Sequence, residues 1–494
     1  MAAKRRFILF ELNEVPLRVV RHYAHNQPGS AFAKMLEAGR HWTTVTPDEG
    51  HLSPWVTWPT LHRGVPSNRH HIIALGQDVG DMDRTYPPVW QLLAKAGRRV
   101  GLFGSLHSYP PPKNAAQYAF YLPDTFAAGP EASPPELSEF QSFNLHMVAG
   151  SGRNVSARLP LKQAIRFLLR AGRNGIGLGT YAKIARQLAA ERIWRHRTAR
   201  RRTVQSLLAF DLFYAQLQAK RPDASFFFTN HVASSLHRYW PATFTTDYTA
   251  TSWARRWVRR FSREIDYAMG EADQMLARLM DFADRNPDYV ILVAGSMGQA
   301  AVDSPERQIK TEVLLRDLTK FLDQLGATER CTRRPTMEPT YTLAFDEPGG
   351  ADAFMAAIAT AKIAGEPVSC TRLSAKGVEF VLGFPNVPDD ALSVTIGNRA
   401  IDPAAAGIAN VTIDDEVGAA AYHVPEGMLL VYDPVHQRGG RGDGDAARPM
   451  VRTTSIAPTL LALQGIDPPP YMEPPLHELL DGRKTCPQPA EALV

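Results

Sequence analysis

Cysteine is scarce in this chain. Three among 494 residues, Cys331, Cys370 and Cys486, are odd in number and far apart, which argues against a disulfide framework or a structural zinc site. Long hydrophobic runs are missing as well. No apolar stretch approaches the ~20 residues needed to span a bilayer. The basic start Lys4-Arg5-Arg6 leads into an apolar run, Phe7–Phe10, that meets Glu11 at once, too short for a signal peptide. The expectation is a cytoplasmic protein with at most peripheral membrane contact. Acid is nearly absent from one region. Residues 151–202 hold fourteen of the 55 Lys/Arg and one of the 50 Asp/Glu, Glu191. The remaining chain carries 41 basic and 49 acidic residues, so the net charge of +5 hides a cationic segment on an acidic body.

What is present is core-forming material, 44% apolar residues, enough for a large buried interior. Four short apolar runs read as buried strands: Arg6–Leu12, Arg99–Ser105, Ala224–Thr229 and Asp288–Ala294. Helical patterns separate them, and that alternation predicts a parallel sheet. Open α/β sheets bind ligands at the C-terminal ends of their strands. Glu11 and Asn13 end the first run, and Asn230, His231 and His237 follow the third. They are candidates to hold a metal or an anion, or else ordinary polar turn and strand-end residues.

The stretch from Glu49 to Gly64 follows a Thr-rich strand, Trp42–Thr46, and offers hydroxyls at Ser53, Thr57 and Thr60 and imidazoles at His51 and His62. Pro54 suits the first position of a helix, which makes Ser53 an N-cap and sets Thr57 one turn inside. Ser53 is either that cap or a nucleophile held where free N–H groups favour an anion.

Helical periodicity marks Leu161–Ala171, Tyr181–Arg195 and Thr203–Lys220, with a guanidinium-dense run at Arg195–Arg202. The run suits a solvated helix face, an anionic membrane surface, an acidic polymer or nucleic acid. No nucleic-acid-binding motif accompanies it, so nucleic acid ranks last. A long helix is expected over Ala254–Arg285. Residues 337–420 are β-like, with strands at Thr340–Phe345, Val378–Phe384 and Leu392–Ile396. His423 precedes a strand over Met428–Asp433, the loop Gly439–Asp445 is flexible, and a last helix runs within Thr454–Ile466.

Taken together, this order resembles the alkaline phosphatase superfamily, and within it the type I phosphodiesterase/nucleotide pyrophosphatase branch. Four places carry the likeness: the strand ending Glu11-Leu-Asn13; Ser53-Pro-Trp-Val-Thr-Trp-Pro-Thr-Leu-His-Arg-Gly64 with the run to Ile72; Val89–Gly104 with the Tyr109-Pro-Pro loop; and His423-Val-Pro-Glu-Gly with the helix Thr454–Gly465. The resemblance implies an α/β/α sandwich with a mostly parallel central sheet. It divides the chain into core (1–150), a basic helical insertion (151–220), core continued (221–336), a small α+β subdomain (337–420) and the last part of the core with a proline-rich tail (421–494).

It further implies a Ser/Thr nucleophile, Thr57 or Ser53, acting on a phosphate or, less readily, sulfate ester or phosphodiester. The family's two divalent metals are held by Asp and His. Here the corresponding positions are Glu11 or Asn13, His237 and His423. Ser296 and Met297 stand where two further ligands belong, and a thioether is a poor ligand for zinc, manganese or magnesium. At most a partly liganded zinc or manganese ion is therefore expected. His62, Asn230, His231, Arg63 and Arg238 are the candidate substrate contacts. The implied substrate is an anionic small molecule or a lipid- or glycan-linked phosphate. The alternative is a catalytically inactive relative that binds an anionic ligand, a membrane surface or a partner, since a fold outlasts its chemistry.

Overall fold

The computed structural model describes residues 4–38, 40–50, 52–149, 175–249, 253–302, 311–327, 330–412, 420–436 and 450–480. His51, Cys486, the expected helix Leu161–Ala171 and the loop Gly439–Asp445 lie outside them.

An eight-stranded sheet organises the molecule. Its strands are β1 (Arg6–Leu12), β2 (His41–Val45), β3 (Val100–Phe103), β4 (Phe120–Leu122), β5 (Ala224–Thr229), β6 (Tyr289–Ala294), β7 (Glu426–Tyr432) and β8 (Val451–Arg452). Across the sheet they run β8-β2-β7-β6-β1-β5-β3-β4. All neighbours are parallel except β7, which is antiparallel to both β2 and β6. The fold is therefore mixed α/β with a mostly parallel sheet.

Strand side chains alternate between faces, and β1 shows it. Ile8, Phe10 and Leu12 enter one apolar layer, and Phe7 and Leu9 enter the other. The first layer is roofed by three helices carrying Phe213, Leu236 and Leu276. The second is closed by helix α1 (Pro54–Arg63) with Trp58 and Leu61, and by the C-terminal helix Ile456–Leu463 with Leu460. The result is three layers, helix–sheet–helix, with both faces of the sheet dry.

Of the basic region, the described part is helix α2 (Leu178–Ile193), a tight turn Arg195–Arg200, and a helix over Arg201–Lys220. Part of the guanidinium run is tied inward: Arg200 Nε lies 2.7 Å from Glu264 Oε2, and Arg201 Nη2 2.8 Å from Glu191 Oε2. Helix α3 (His231–Thr243) follows β5. The long helix expected over Ala254–Arg285 is two helices, α4 (Arg255–Phe261) and α5 (Glu264–Arg285). Ser262 at the break returns its hydroxyl to the Arg259 carbonyl, a local bond that competes with the helix ladder.

The β-rich unit has its own apolar core, with Tyr341, Leu343, Val378 and Phe380 at its centre. That core also takes in Val313 and Phe321, ahead of residue 337. Among the described residues no helix is long and apolar enough to cross a membrane.

Candidate functional site

β5, β1 and β6 are adjacent and parallel, with Leu12 level with Thr229 and Glu11 level with Ala294. Their C-terminal ends therefore deliver Asn13-Glu14, Asn230 and Gly295-Ser296 to one edge of the sheet. A two-stranded ribbon beside that edge pairs Gly298–Ala301 with Ala421–Val424, and in it His423 lies opposite Gln299. Gly298 is required there, because an added Cβ would sit 2.2 Å from the Glu426 carbonyl oxygen.

These elements converge on Glu14. Its Oε2 lies 2.9 Å from His237 Nε2 and 3.2 Å from His423 Nε2, and it also accepts from Gln299 Nε2. Its Oε1 accepts from Asn13 Nδ2 at 2.8 Å. Among the described residues, Glu14, His237 and His423 form the one group of three His, Cys, Asp or Glu able to hold a metal ion. The backbone of Glu14 is left-handed, φ 56°, which costs roughly 1–2 kcal/mol for a residue with a Cβ. Surrounding contacts hold it there, as is common where a side chain has work to do.

The imidazole orientations are set from behind. His237 Nδ1 lies 2.8 Å from the Ala421 carbonyl, and His423 Nδ1 lies 2.7 Å from the Leu52 carbonyl. A carbonyl only accepts, so each Nδ1 carries a proton. Each Nε2 then faces a carboxylate oxygen, and lone pairs would meet unless positive charge lies between them. Two protons supply it, or one divalent ion does. Burial by itself would raise the Glu14 carboxyl, but the charges of His423 and His237 hold it well below the usual carboxylate range. Burial lowers His423, and the Glu14 charge and hydrogen bond outweigh it, so this imidazole is raised.

α1 is bound into the same cluster at two points. Leu52, just before Ser53, receives His423. Trp58 donates its indole N–H to Asn13 Oδ1 at 2.7 Å. An indole N–H only donates, which fixes the Asn13 amide with its nitrogen toward Glu14 and toward Asn230 Oδ1, 2.7 Å away. Between these anchors lie both candidate nucleophiles. Ser53 stands at the N-cap position, but its side chain makes no capping bond. Its Oγ is buried without a hydrogen-bond partner. Thr57 Oγ1 donates back to the Ser53 carbonyl at 3.2 Å and lies 2.8 Å from Ser296 Oγ.

Other candidates are placed elsewhere. Glu11 shares its face of β1 with Phe7 and Leu9, so it points beneath α1. There its carboxylate meets His62 Nε2 and Ser105 Oγ, each at 2.8 Å. His62 is sandwiched by Trp58 and Trp90, with centroids 5.3 and 4.7 Å away. Arg63, fully buried, donates to Asp83 and to the Tyr86 carbonyl. His231 bonds Thr229 Oγ1 and the Ala268 carbonyl, and burial lowers it to about 4. Arg238 reaches Ser234 Oγ on its own helix at 3.5 Å. The edge thus assembles Asn13, Asn230, His237 and His423 with Glu14 and Gln299, two residues that sequence reasoning passed over. For Glu14 the signal was present: an acid in the turn between a buried strand and Pro16. For Gln299 there was none beyond its place after Gly298.

No family model matches the chain, and no curated protein matches it. Among solved structures it is similar to murine ectonucleotide pyrophosphatase/phosphodiesterase 5, at 13% identity and a TM-score of 0.39 over 96% of this chain and 97% of that one. An inactive form of the same murine protein in complex with AMP matches at 11% identity and a TM-score of 0.37 over the same shares.

Proposed function

We propose that the protein is a phosphate-ester hydrolase or transferase that uses Thr57 as nucleophile beside a single divalent cation held by Glu14, His237 and His423. The observation that carries this is the convergence of two Nε2 atoms and one carboxylate oxygen, each imidazole locked by an Nδ1 bond to a backbone carbonyl. Two nitrogens and one oxygen make a three-ligand set of the kind a catalytic zinc or manganese ion takes. The fit extends to one ion and not to a pair. Ser296 and the fully buried Met297 supply no strong ligand, and the described residues hold no second such cluster. The ion would polarise a phosphoryl oxygen and lower the pKa of a bound hydroxyl.

The remaining roles fall to the chain's own groups. Thr57 is presented on the first turn of α1, at the positive end of the helix dipole, which favours an anion. Thr57 Oγ1 lies within hydrogen-bond reach of both Ser296 Oγ and the Ser53 carbonyl, and these two contacts orient its hydroxyl. Asn13 keeps Glu14 and Trp58, and hence the ion site and the nucleophile helix, in register.

A second reading has its own observation. The Glu14 carboxylate already contacts both imidazoles, and its own ionised form is favoured. A metal-free cleft that binds an anionic ligand without turnover satisfies the same geometry.

Metal content by elemental mass spectrometry, together with hydrolysis of bis- and mono-(4-nitrophenyl) phosphate with and without added zinc or manganese, separates the two. About one ion per chain with metal-dependent turnover supports the enzyme. A metal-free protein inert toward both esters overturns it.

A further inference from the structure

We infer that the face formed by the end of α2, the turn Arg195–Arg200 and α4 is a docking surface for an anionic phospholipid membrane. The three pieces are contiguous. The His196 ring meets Phe261 edge-on at 6.0 Å, and Arg197 and Arg200 on the same turn reach Glu264 at the start of α5, at 3.7 and 2.7 Å. α4 exposes Arg255, Arg256, Arg259 and Arg260, and none has an ion-pair partner among the described residues. Arg192 and Arg195, also exposed, add to this field from α2 and the turn.

Charge alone describes a solvated surface. The second observation is what the arginines surround. Leu178, Ala182, Ala185, Ala189 and Ile193 are exposed and recur at helical spacing, while Tyr181 and Ile184 of the same helix pack on the core. Apart from Arg186 and Arg192, the outward side of α2 is thus apolar, unlike that of an ordinary surface helix. It ends in Ile193 and Trp194, 69% and 52% exposed, between Arg192 and Arg195. An indole beside aliphatic side chains and flanked by guanidinium groups suits the boundary between headgroups and acyl chains. Guanidinium forks match lipid phosphates, and anionic lipids concentrate such basic segments. Nucleic acid would use the arginines but leave the aliphatic stripe in water, which is why a lipid surface is the better partner. This surface is independent of whether the Glu14 cluster supports turnover.

The test is co-sedimentation of the full chain with phosphatidylcholine vesicles and with vesicles containing about one-third phosphatidylglycerol. Binding is expected only to the anionic vesicles, and it should weaken at least ~10-fold as salt rises from about 0.05 to 0.5 M. Arg259→Glu with Arg260→Glu should lower it at least ~10-fold. Ile193→Ser with Trp194→Ser should weaken it with little change in the salt dependence. The milder Arg259→Gln with Arg260→Gln pair replaces the charge reversal if that variant does not fold. Equal binding to neutral vesicles, wild-type binding by the arginine variants, or no vesicle binding while polyuridylate RNA is held would each overturn the proposal, the last in favour of a nucleic-acid surface.

Discussion

Thr57 Oγ1 and Ser296 Oγ lie 2.8 Å apart, and both side chains are fully buried. One comes from the first turn of α1 and the other from the end of β6. Their meeting separates two roles. Thr57→Ala is expected to lower kcat by at least ~10³-fold, the scale of losing a nucleophile, while Thr57→Ser retains most activity. Ser296→Ala removes one neutral hydrogen bond, about 1 kcal/mol, and should slow turnover by roughly tenfold or less. Steady-state hydrolysis of bis(4-nitrophenyl) phosphate by the three variants checks this. Wild-type rates in Thr57→Ala would move the nucleophile to Ser53.

Metal affinity should divide the cluster into holders and supporters. Calorimetric titration with zinc is expected to show no measurable binding in His237→Ala or His423→Ala. Gln299→Leu and Asn13→Leu, which remove bonds to Glu14 and leave all three metal-holding side chains in place, should weaken binding about 10–100-fold. Binding must displace any proton on Nε2, so affinity should fall and proton release should rise as the pH drops.

Glu11 tests the distinction between burial and ligation. Glu11→Ala leaves the His62 ring and the Ser105 hydroxyl without their partner in a sealed layer. The expected loss is about 3–5 kcal/mol, read from urea unfolding. Zinc affinity in the folded variant should be unchanged. A protein of normal stability that no longer binds metal would return Glu11 to the ligand set.

Buried neutral imidazoles give the stability curve a component that falls on the acid side. Burial lowers His231 and His107 to about 4 and His70 to about 3, from 6.5. Below 6.5 the unfolded chain takes up these protons and the folded chain does not, so stability falls with pH until the folded values are reached. Each group contributes about 1.4 kcal/mol per pH unit. Asp124 has the opposite sign. Burial raises it to about 6, so it favours the folded state as the pH drops from there toward its ordinary 3.8. Glu379, raised by burial to about 7, acts in the same sense as Asp124. His231→Gln should flatten the slope of unfolding free energy between about pH 5 and 6.5 by about 1.4 kcal/mol per unit. An unchanged slope in that variant would mean that His231 is protonated in the fold.

Much of the scaffold is legible in one dimension, because strand and helix patterns depend on local spacing. The apolar runs at Arg6–Leu12, Ala224–Thr229 and Asp288–Ala294 became β1, β5 and β6, and Pro54 opens α1 as its fixed φ dictates. The grouping of polar residues at strand ends follows from the parallel order those runs imply. Which polar residue faces the edge does not. Glu11 and Glu14 are three positions apart in one short segment. The pleat of β1 turns Glu11 under α1, while a left-handed turn after the strand brings Glu14 to His237 and His423. The histidine partners of Glu14 lie more than 200 residues away, and Nδ1 bonds to the carbonyls of Ala421 and Leu52 orient them. Short-range periodicity and charge were enough to read β1, β2, β3, β5, β6 and β7, the helix carrying Thr57 and the cationic segment, but not β4 or β8. Which carboxylate the two histidines share and which side of α2 meets solvent depend instead on packing between segments distant in the chain.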